Sequence, residues 1–144
     1  MLVHANIHPR HGVLDVGAGL GYSSAVIAQM ADKVIGIEEN AELVVAARKR
    51  LSTIHRKTID LITAPFVAGC SAHKPYDRIM IEGAMTTIPV AIEKQLAENG
   101  RIIAILSSGA VFATQKGLAN IIVGTKHENC VTYVEKERVS AYPL

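Results

Sequence analysis

Between Asp15 and Ser23 the chain reads Asp-Val-Gly-Ala-Gly-Leu-Gly-Tyr-Ser, directly after the apolar pair Val13-Leu14. Glycine at 17, 19 and 21 lets a backbone turn tightly and keeps Cβ atoms out of a ligand's way. The residues that follow start a helix, whose free N–H groups open toward the same spot. An acid flanks the loop on each side. Asp15 stands two residues before the first glycine, and Glu38 stands 17 residues beyond the last. A carboxylate at the second position accepts hydrogen bonds from both hydroxyls of a ribose. These types at this spacing predict recognition of a nucleoside at the carboxyl end of a first strand.

The glycine spacing selects among nucleosides. Dinucleotide sites prefer Gly-x-Gly-x-x-Gly, whose last glycine brings the helix close to a pyrophosphate. Here the run is Gly-x-Gly-x-Gly, and Tyr22 stands where that last glycine would be. A sulfonium nucleoside has no phosphate and needs a roomier loop. The spacing therefore favours S-adenosyl-L-methionine over NAD. Gly17, Ala18, Gly19, Gly21, Tyr22 and Ser23 are the predicted loop contacts. Asp15 is predicted near the amino-acid end of the cofactor, holding loop amides or, through water, its ammonium. Strand alternation from Ile35 and Ile37 puts Glu38 at a strand tip, so it is preferred for the ribose over Glu39, which is kept as a second candidate. A purely structural turn and two surface carboxylates are the plainer readings of each feature alone; together the three features favour binding.

Composition narrows the classes. The 144 residues suit a single domain, and 49% are hydrophobic with few aromatics, so Ala, Val, Ile and Leu supply the core. Fifteen basic against 13 acidic residues leave a formal charge of +2. No basic field demands nucleic acid or an anionic membrane. Arg48-Lys49-Arg50 and Arg56-Lys57 read as the solvated end of a helix. Cys70 and Cys130 are far apart in sequence and suit a reducing cytosol. No apolar run approaches the roughly 20 residues of a membrane span. The first residues, Met1 to Asn6, lack the pattern of a signal peptide. A soluble, cytoplasmic protein is expected. The six histidines show no ligand spacing, so no metal is expected.

Strand and helix signals alternate around the loop. Gly12–Val16, Lys33–Glu38, Thr58–Thr63, Asp77–Glu82 and Arg101–Leu106 read as strands. Ser23–Met30, Asn40 to about Ile54, and Ile88 to Ala97 read as helices, the second capped by Asn40 and the third stopped at Asn99-Gly100. Phe66–Pro75 is a looser stretch. Leu118–Lys126 and Cys130–Glu137 read as an antiparallel hairpin. Near-continuous apolar strands imply burial on both faces. The expected fold is α/β: a mostly parallel seven-stranded sheet with helices on both faces and a C-terminal β-hairpin.

The stretch Val13–Ser23 resembles the first motif of the class I S-adenosylmethionine-dependent methyltransferases, and within them the protein-L-isoaspartate O-methyltransferases. The spacing to Val34-Ile35-Gly36-Ile37-Glu38 is similar too. Tyr76–Ala84 through Ile88-Pro89 resembles that family's fourth strand and proline turn. Gln95-Leu96-Ala97-Glu98-Asn99-Gly100-Arg101 resembles its segment before strand five. The match covers about Gly12 to Leu106. It implies a Rossmann-like fold, S-adenosyl-L-methionine as cofactor with S-adenosyl-L-homocysteine as product, and methylation of isoaspartyl carboxylates in damaged proteins. Such chemistry needs no metal and no identifiable catalytic residue, because the acceptor is already ionised and alignment supplies the acceleration.

Three departures from the family pattern stand out. The serine-containing loop that holds the acceptor lies upstream in the family, so the chain reads as a fragment or a shortened relative. The third strand leads into Thr63-Ala64-Pro65 instead of Gly-Asp-Gly, leaving backbone near Ala64 and apolar contact with Pro65 or Phe66 for the adenine. Glu82 stands where the family often has a small or neutral residue, at a predicted strand tip facing the pocket. The competing functions are a small-molecule O-methyltransferase and a non-catalytic cofactor-binding module. An NAD-dependent oxidoreductase is disfavoured by Tyr22. Nucleic-acid N-methylation is disfavoured by the lack of Asn-Pro-Pro-Tyr after strand four. The sequence is silent on oligomeric state, although Lys136, Glu137 and Arg138 discourage edge pairing.

Overall fold

Runs with no polar alternate make the buried strands. Val34 to Ile37, Ile79 to Ile81 and Ile102 to Ala104 each have β-branched or aliphatic side chains pointing both ways, which only a sheet covered on two sides can bury. The computed structural model describes residues 1–52, 58–107 and 117–144. Its strands are β1 (Gly12–Val16), β2 (Lys33–Glu38), β3 (Ile59–Thr63), β4 (Tyr76–Met85), β5 (Leu96–Leu106), β6 (Gly117–His127) and β7 (Cys130–Ala141). They form one sheet in the order β3-β2-β1-β4-β5-β6-β7. The first five are parallel, and β6 and β7 run antiparallel to their neighbours. The chain leaves β1 toward β2 and β3, then returns to the other side of β1 as β4. Strand order therefore reverses between β1 and β4, and their carboxyl ends open a crevice.

The two faces sort by residue parity. Leu14, Val16, Ile35, Ile37, Ile79, Ile81 and Ile102 share one core with Tyr76, Ile92 and Leu96. Val13, Val34, Met80, Ile103 and Val123 share the other with Ala5 and Ile27. Helices α1 (Leu2–Ala5) and α2 (Tyr22–Ile27) put Ala5 and Ile27 into the second core, whereas α4 (Val90–Glu93) puts Ile92 into the first. Helix α3 (Ala41–Leu51) rests Val44 and Ala47 on Ala18 and Leu61. The α/β sheet with helices on both faces and a C-terminal hairpin is thus the expected one.

Several bounds differ from the sequence reading. Helix α2 stops at Ile27 rather than Met30, because Gln29 N–H and Met30 N–H bond three residues back and tighten the last turn. Asn40 caps α3 as expected, its Oδ1 accepting from Glu42 N–H at 2.9 Å. Ile54, Arg56 and Lys57 lie outside the described residues. The helix expected to Ala97 is the single turn α4. Gln95 ends it: its Oε1 accepts from Cys70 N–H at 2.8 Å, and its backbone carbonyl accepts from Tyr76 N–H at 2.9 Å. Leu96 then pairs with Tyr76, so β5 starts five residues before Arg101, and Asn99, at φ 60°, sits in a bulge rather than at a helix end. Beyond β7 the segment Tyr142–Leu144 folds back onto β4. Ala84 N–H donates to Tyr142 O at 2.8 Å, and Leu144 N–H donates to Ala84 O at 3.1 Å. No helix among the described residues is long and apolar enough to cross a membrane.

Candidate functional site

The glycine loop sits at the crevice between β1 and β4. Gly17, Gly19 and Gly21 all have left-handed backbones, at φ 84°, 52° and 82°, a region that side chains disfavour. Gly17 N–H and Ala18 N–H both donate to Ile37 O at 3.0 Å, which seats the turn on the end of β2. The three glycines serve three purposes. A Cβ at Gly21 would meet Leu51 Cδ1 at 3.0 Å and Ala47 Cβ at 3.3 Å, so this glycine lets α3 pack closely. A Cβ at Gly17 would meet Leu144 Cδ1 at 2.3 Å. Only at Gly19 is there nothing within 4 Å. The expectation that all three leave space for a ligand is corrected: Gly19 alone opens on it, because α3 and Leu144 fill the other two positions.

Glu38 aims at that opening. Its carboxylate is buried; Oε2 accepts from Gly19 N–H at 3.1 Å and Oε1 from Asn40 N–H at 3.0 Å. Each oxygen keeps a lone pair for a further donor. The Glu38 carbonyl accepts from Ala64 N–H at 3.1 Å, which brings Ala64 and Pro65 beside the same strand end. Glu39 points away, accepting from Phe66 N–H at 2.7 Å through Oε1. It lines a hollow of about 440 Å³ with Phe66, Val67, Met85 and Leu144.

Asp15 departs from one of its two expected roles, the holding of loop amides. It is fully buried, and Oδ2 accepts from Ser23 Oγ at 2.7 Å and Ser24 Oγ at 2.6 Å. It fastens the first turn of α2, not the loop amides. The reason is parity: Asp15 shares a face with Val13, and α2 covers that face. Ser24 was not singled out from the sequence; the Ser-Ser pair one strand-to-helix turn after a buried acid was its signal. Oδ1 of Asp15 is buried with no hydrogen-bond partner. Burial raises the Asp15 pKa above the ordinary carboxylate range, against the two serine bonds that lower it.

Glu82 does face a pocket. It lines a second hollow of about 430 Å³ with Leu2, Tyr22, Ser23, Val26 and Met80. Burial, and next the neighbouring Asp15 charge, push its pKa from 4.5 to about 7, with the amino group of Met1 opposing. Tyr22 is 82% exposed and stands at the mouth. The site thus offers acceptors and negative charge around a side-chain-free turn, which suits a ligand carrying hydroxyls and positive charge. Among the described residues no group of three or more potential metal ligands comes together.

Comparison with known proteins bears on the family and the fold. The family model described as Protein-L-isoaspartate(D-aspartate) O-methyltransferase matches residues 1–138. A protein-L-isoaspartate O-methyltransferase of Koribacter versatilis is 35% identical over 133 residues, covering 90% of this chain and 60% of that protein. One from Dinoroseobacter shibae is 31% identical, covering 97% and 62%. The chain therefore spans about 60% of the length of these relatives. A solved protein-L-isoaspartate O-methyltransferase superposes with a TM-score of 0.86 over 99% of this chain and 44% of the other, at 17% identity. A candidate enzyme of that type from Plasmodium falciparum, solved with S-adenosyl-L-homocysteine, gives 0.76 over 95% of this chain and 66% of its own, at 18% identity. The sheet is that of the Rossmann-like class I methyltransferases. With the glycine loop, the acid at the tip of β2 and a family match across nearly the whole sequence, this chain belongs to the protein-L-isoaspartate(D-aspartate) O-methyltransferase family.

Proposed function

We propose that this chain binds S-adenosyl-L-methionine at the glycine loop and methylates the free carboxylate of isoaspartyl residues in damaged proteins, leaving S-adenosyl-L-homocysteine. The observation that carries the reading is the Glu38 carboxylate, held 3.1 Å from Gly19 N–H beside the one loop position open to space. Its spare lone pairs take the ribose hydroxyls. Ala64, Pro65 and Glu39 border the adenine side, and the backbone of Gly17, Ala18 and Gly19 borders the ribose. Ser23 and Glu82 line the hollow toward the cationic amino-acid end, and the buried Asp15 carboxylate backs them through its hydrogen bond from Ser23 Oγ. Tyr22 flanks the entrance.

When bound, the cofactor supplies a methyl group activated by its sulfonium. An isoaspartyl carboxylate is ionised at neutral pH, so no residue of this chain has to remove a proton from it. What the chain contributes is alignment along the crevice and exclusion of water. Both cysteines are free thiols, Cys70 buried and Cys130 exposed, which supports a reducing, cytoplasmic setting.

Transfer of a labelled methyl group to an isoaspartyl peptide, beside its aspartyl twin, tests the reading. Label is expected on the isoaspartyl peptide alone. Equal labelling of both would overturn the acceptor assignment. Cofactor binding with no transfer to either would reduce the chain to a binding module.

A further inference from the structure

Glu82 brings a carboxyl group to the crevice from β4. It follows Ile81, which pairs with Val16, and so stands beside Gly17; its Cβ is 3.7 Å from where a Cβ on Gly17 would be. It shares a sheet face with Met80, the face on which Asp15 lies buried under α2. Leu2, Val26 and Met80 wall the hollow it lines, with Tyr22 and Ser23 beside them. Among the described residues no lysine, arginine or histidine lines this hollow or pairs with Glu82. The titratable groups that face Glu82 are Asp15 from β1, Tyr22 from the first turn of α2, and the amino group of Met1. On its other side β5 passes with Ile103, Ala104 and Ile105. A carboxylate so placed is short of positive charge, which a bound cation supplies.

We propose that Glu82 is the residue by which this site tells cofactor from product: its carboxylate pairs with the sulfonium of S-adenosyl-L-methionine and finds no such partner in S-adenosyl-L-homocysteine. This inference rests on the cofactor reading above. In that reading Glu38 takes the ribose beside Gly19, and Ser23, backed by Asp15, lies toward the amino-acid end. A sulfonium joins those two parts of the cofactor, and Glu82 beside Gly17 stands between their two sets of residues. Methyl transfer breaks the S–CH3 bond and leaves its electron pair on sulfur, while the methyl carbon bonds to an oxygen of the acceptor carboxylate. Sulfur becomes a neutral thioether, so Glu82 loses its counter-charge. Burial, and next the Asp15 charge, push the Glu82 carboxyl up to about 7, with the Met1 amino group opposing. Without the sulfonium it takes a proton from solvent through the open mouth of the hollow. The attraction that holds cofactor is thereby absent from product, and selectivity is this difference in affinities.

The test is calorimetric titration of the full chain and of Glu82→Gln with S-adenosyl-L-methionine and, separately, with S-adenosyl-L-homocysteine, at pH 6 and pH 8. A pairing that strengthens binding about ten-fold moves the carboxyl from about 7 to about 6 in the cofactor complex. The preference of wild type for cofactor over product is then expected to exceed that of Glu82→Gln by about nine-fold at pH 8 and by about two-fold at pH 6. Titration of the ligands' own amino groups is common to both proteins and cancels in the comparison. Glu82→Ala gives the same comparison with the carboxyl group removed. Titration at pH 7 in buffers of different ionisation enthalpy supplies a second readout. On binding cofactor, wild type is expected to release about 0.4 proton more than Glu82→Gln, and on binding product no more than the variant. Equal preferences in wild type and both variants at pH 8, or equal proton release with cofactor, would overturn the proposal. So would an equal loss of affinity for both ligands in the variants, which would place Glu82 at the ammonium they share. If neither ligand binds wild type, the cofactor reading falls and the role of Glu82 with it; if both bind and Glu82 changes neither preference nor proton count, its role alone falls.

Discussion

Glu38 and Asp15 show how differently two acids beside one loop can be used. Both are buried, yet Glu38 spends its oxygens on the loop and the α3 entry, whereas Asp15 spends one on two serines and leaves the other bare. Strand-tip counting preferred Glu38 to Glu39, and it is Glu38 whose carboxylate reaches the loop, at Gly19 N–H. The partners of Asp15 were not readable, because they depend on which face α2 covers. Glu82 carries a prediction. Its carboxyl stays protonated in the folded protein up to about pH 7, while the unfolded group loses its proton near 4.5. The folded state therefore binds more protons across that window, and stability falls as pH rises from 4.5 to 7. Glu82→Gln removes this term. Relative to wild type, the variant should gain about 1–2 kcal/mol between pH 4.5 and pH 8, after discounting for solvent screening of a partly exposed group. Urea denaturation at the two pH values measures it; identical pH slopes for the two proteins would contradict the assignment.

At the scale of elements, close approach decides what a pattern alone does not. Gly36 in the middle of β2 sits under Leu61 Cδ2, Ser24 Oγ and Ala18 Cβ, which lie 2.4, 2.8 and 3.1 Å from where its Cβ would be. The glycine lets the first turn of α2 and the loop settle onto β2. Gly36→Ala should push them apart, costing about 1–3 kcal/mol, read as a lower urea midpoint with an unchanged slope. A loss under about 0.5 kcal/mol would show that the contact is slack. Strands were identified well from sequence because their apolar runs have no competing interpretation once helices intervene. Helix lengths were not. The apolar periodicity of Ile88 to Ala97 suits a helix, but Gln95 and Leu96 gain more from the sheet and the Phe66–Pro75 stretch than from further turns of α4. Likewise the glycines of the loop look equivalent in sequence, and only packing separates Gly19 from Gly17 and Gly21.

Over the whole molecule, the order of strands places the site. A loop after β1 becomes a crevice only because β4 returns on its far side, and that return brings Gly83 and Glu82 opposite Gly17. The sequence carried the alternation of strand and helix and the hairpin that ends the sheet. It carried nothing of Tyr142–Leu144 folding back across β4, since three residues have no periodicity to read. The central claim is that the open turn at Gly19, facing Glu38, receives a sulfonium nucleoside rather than a dinucleotide. Calorimetric titration with S-adenosyl-L-homocysteine and, separately, with NADH tests it most directly, with Gly19→Val as the blocked-loop control. Saturable one-to-one binding of S-adenosyl-L-homocysteine, lost in Gly19→Val and absent with NADH, is the predicted result. Tighter binding of NADH, or undiminished binding of S-adenosyl-L-homocysteine by Gly19→Val, would contradict it.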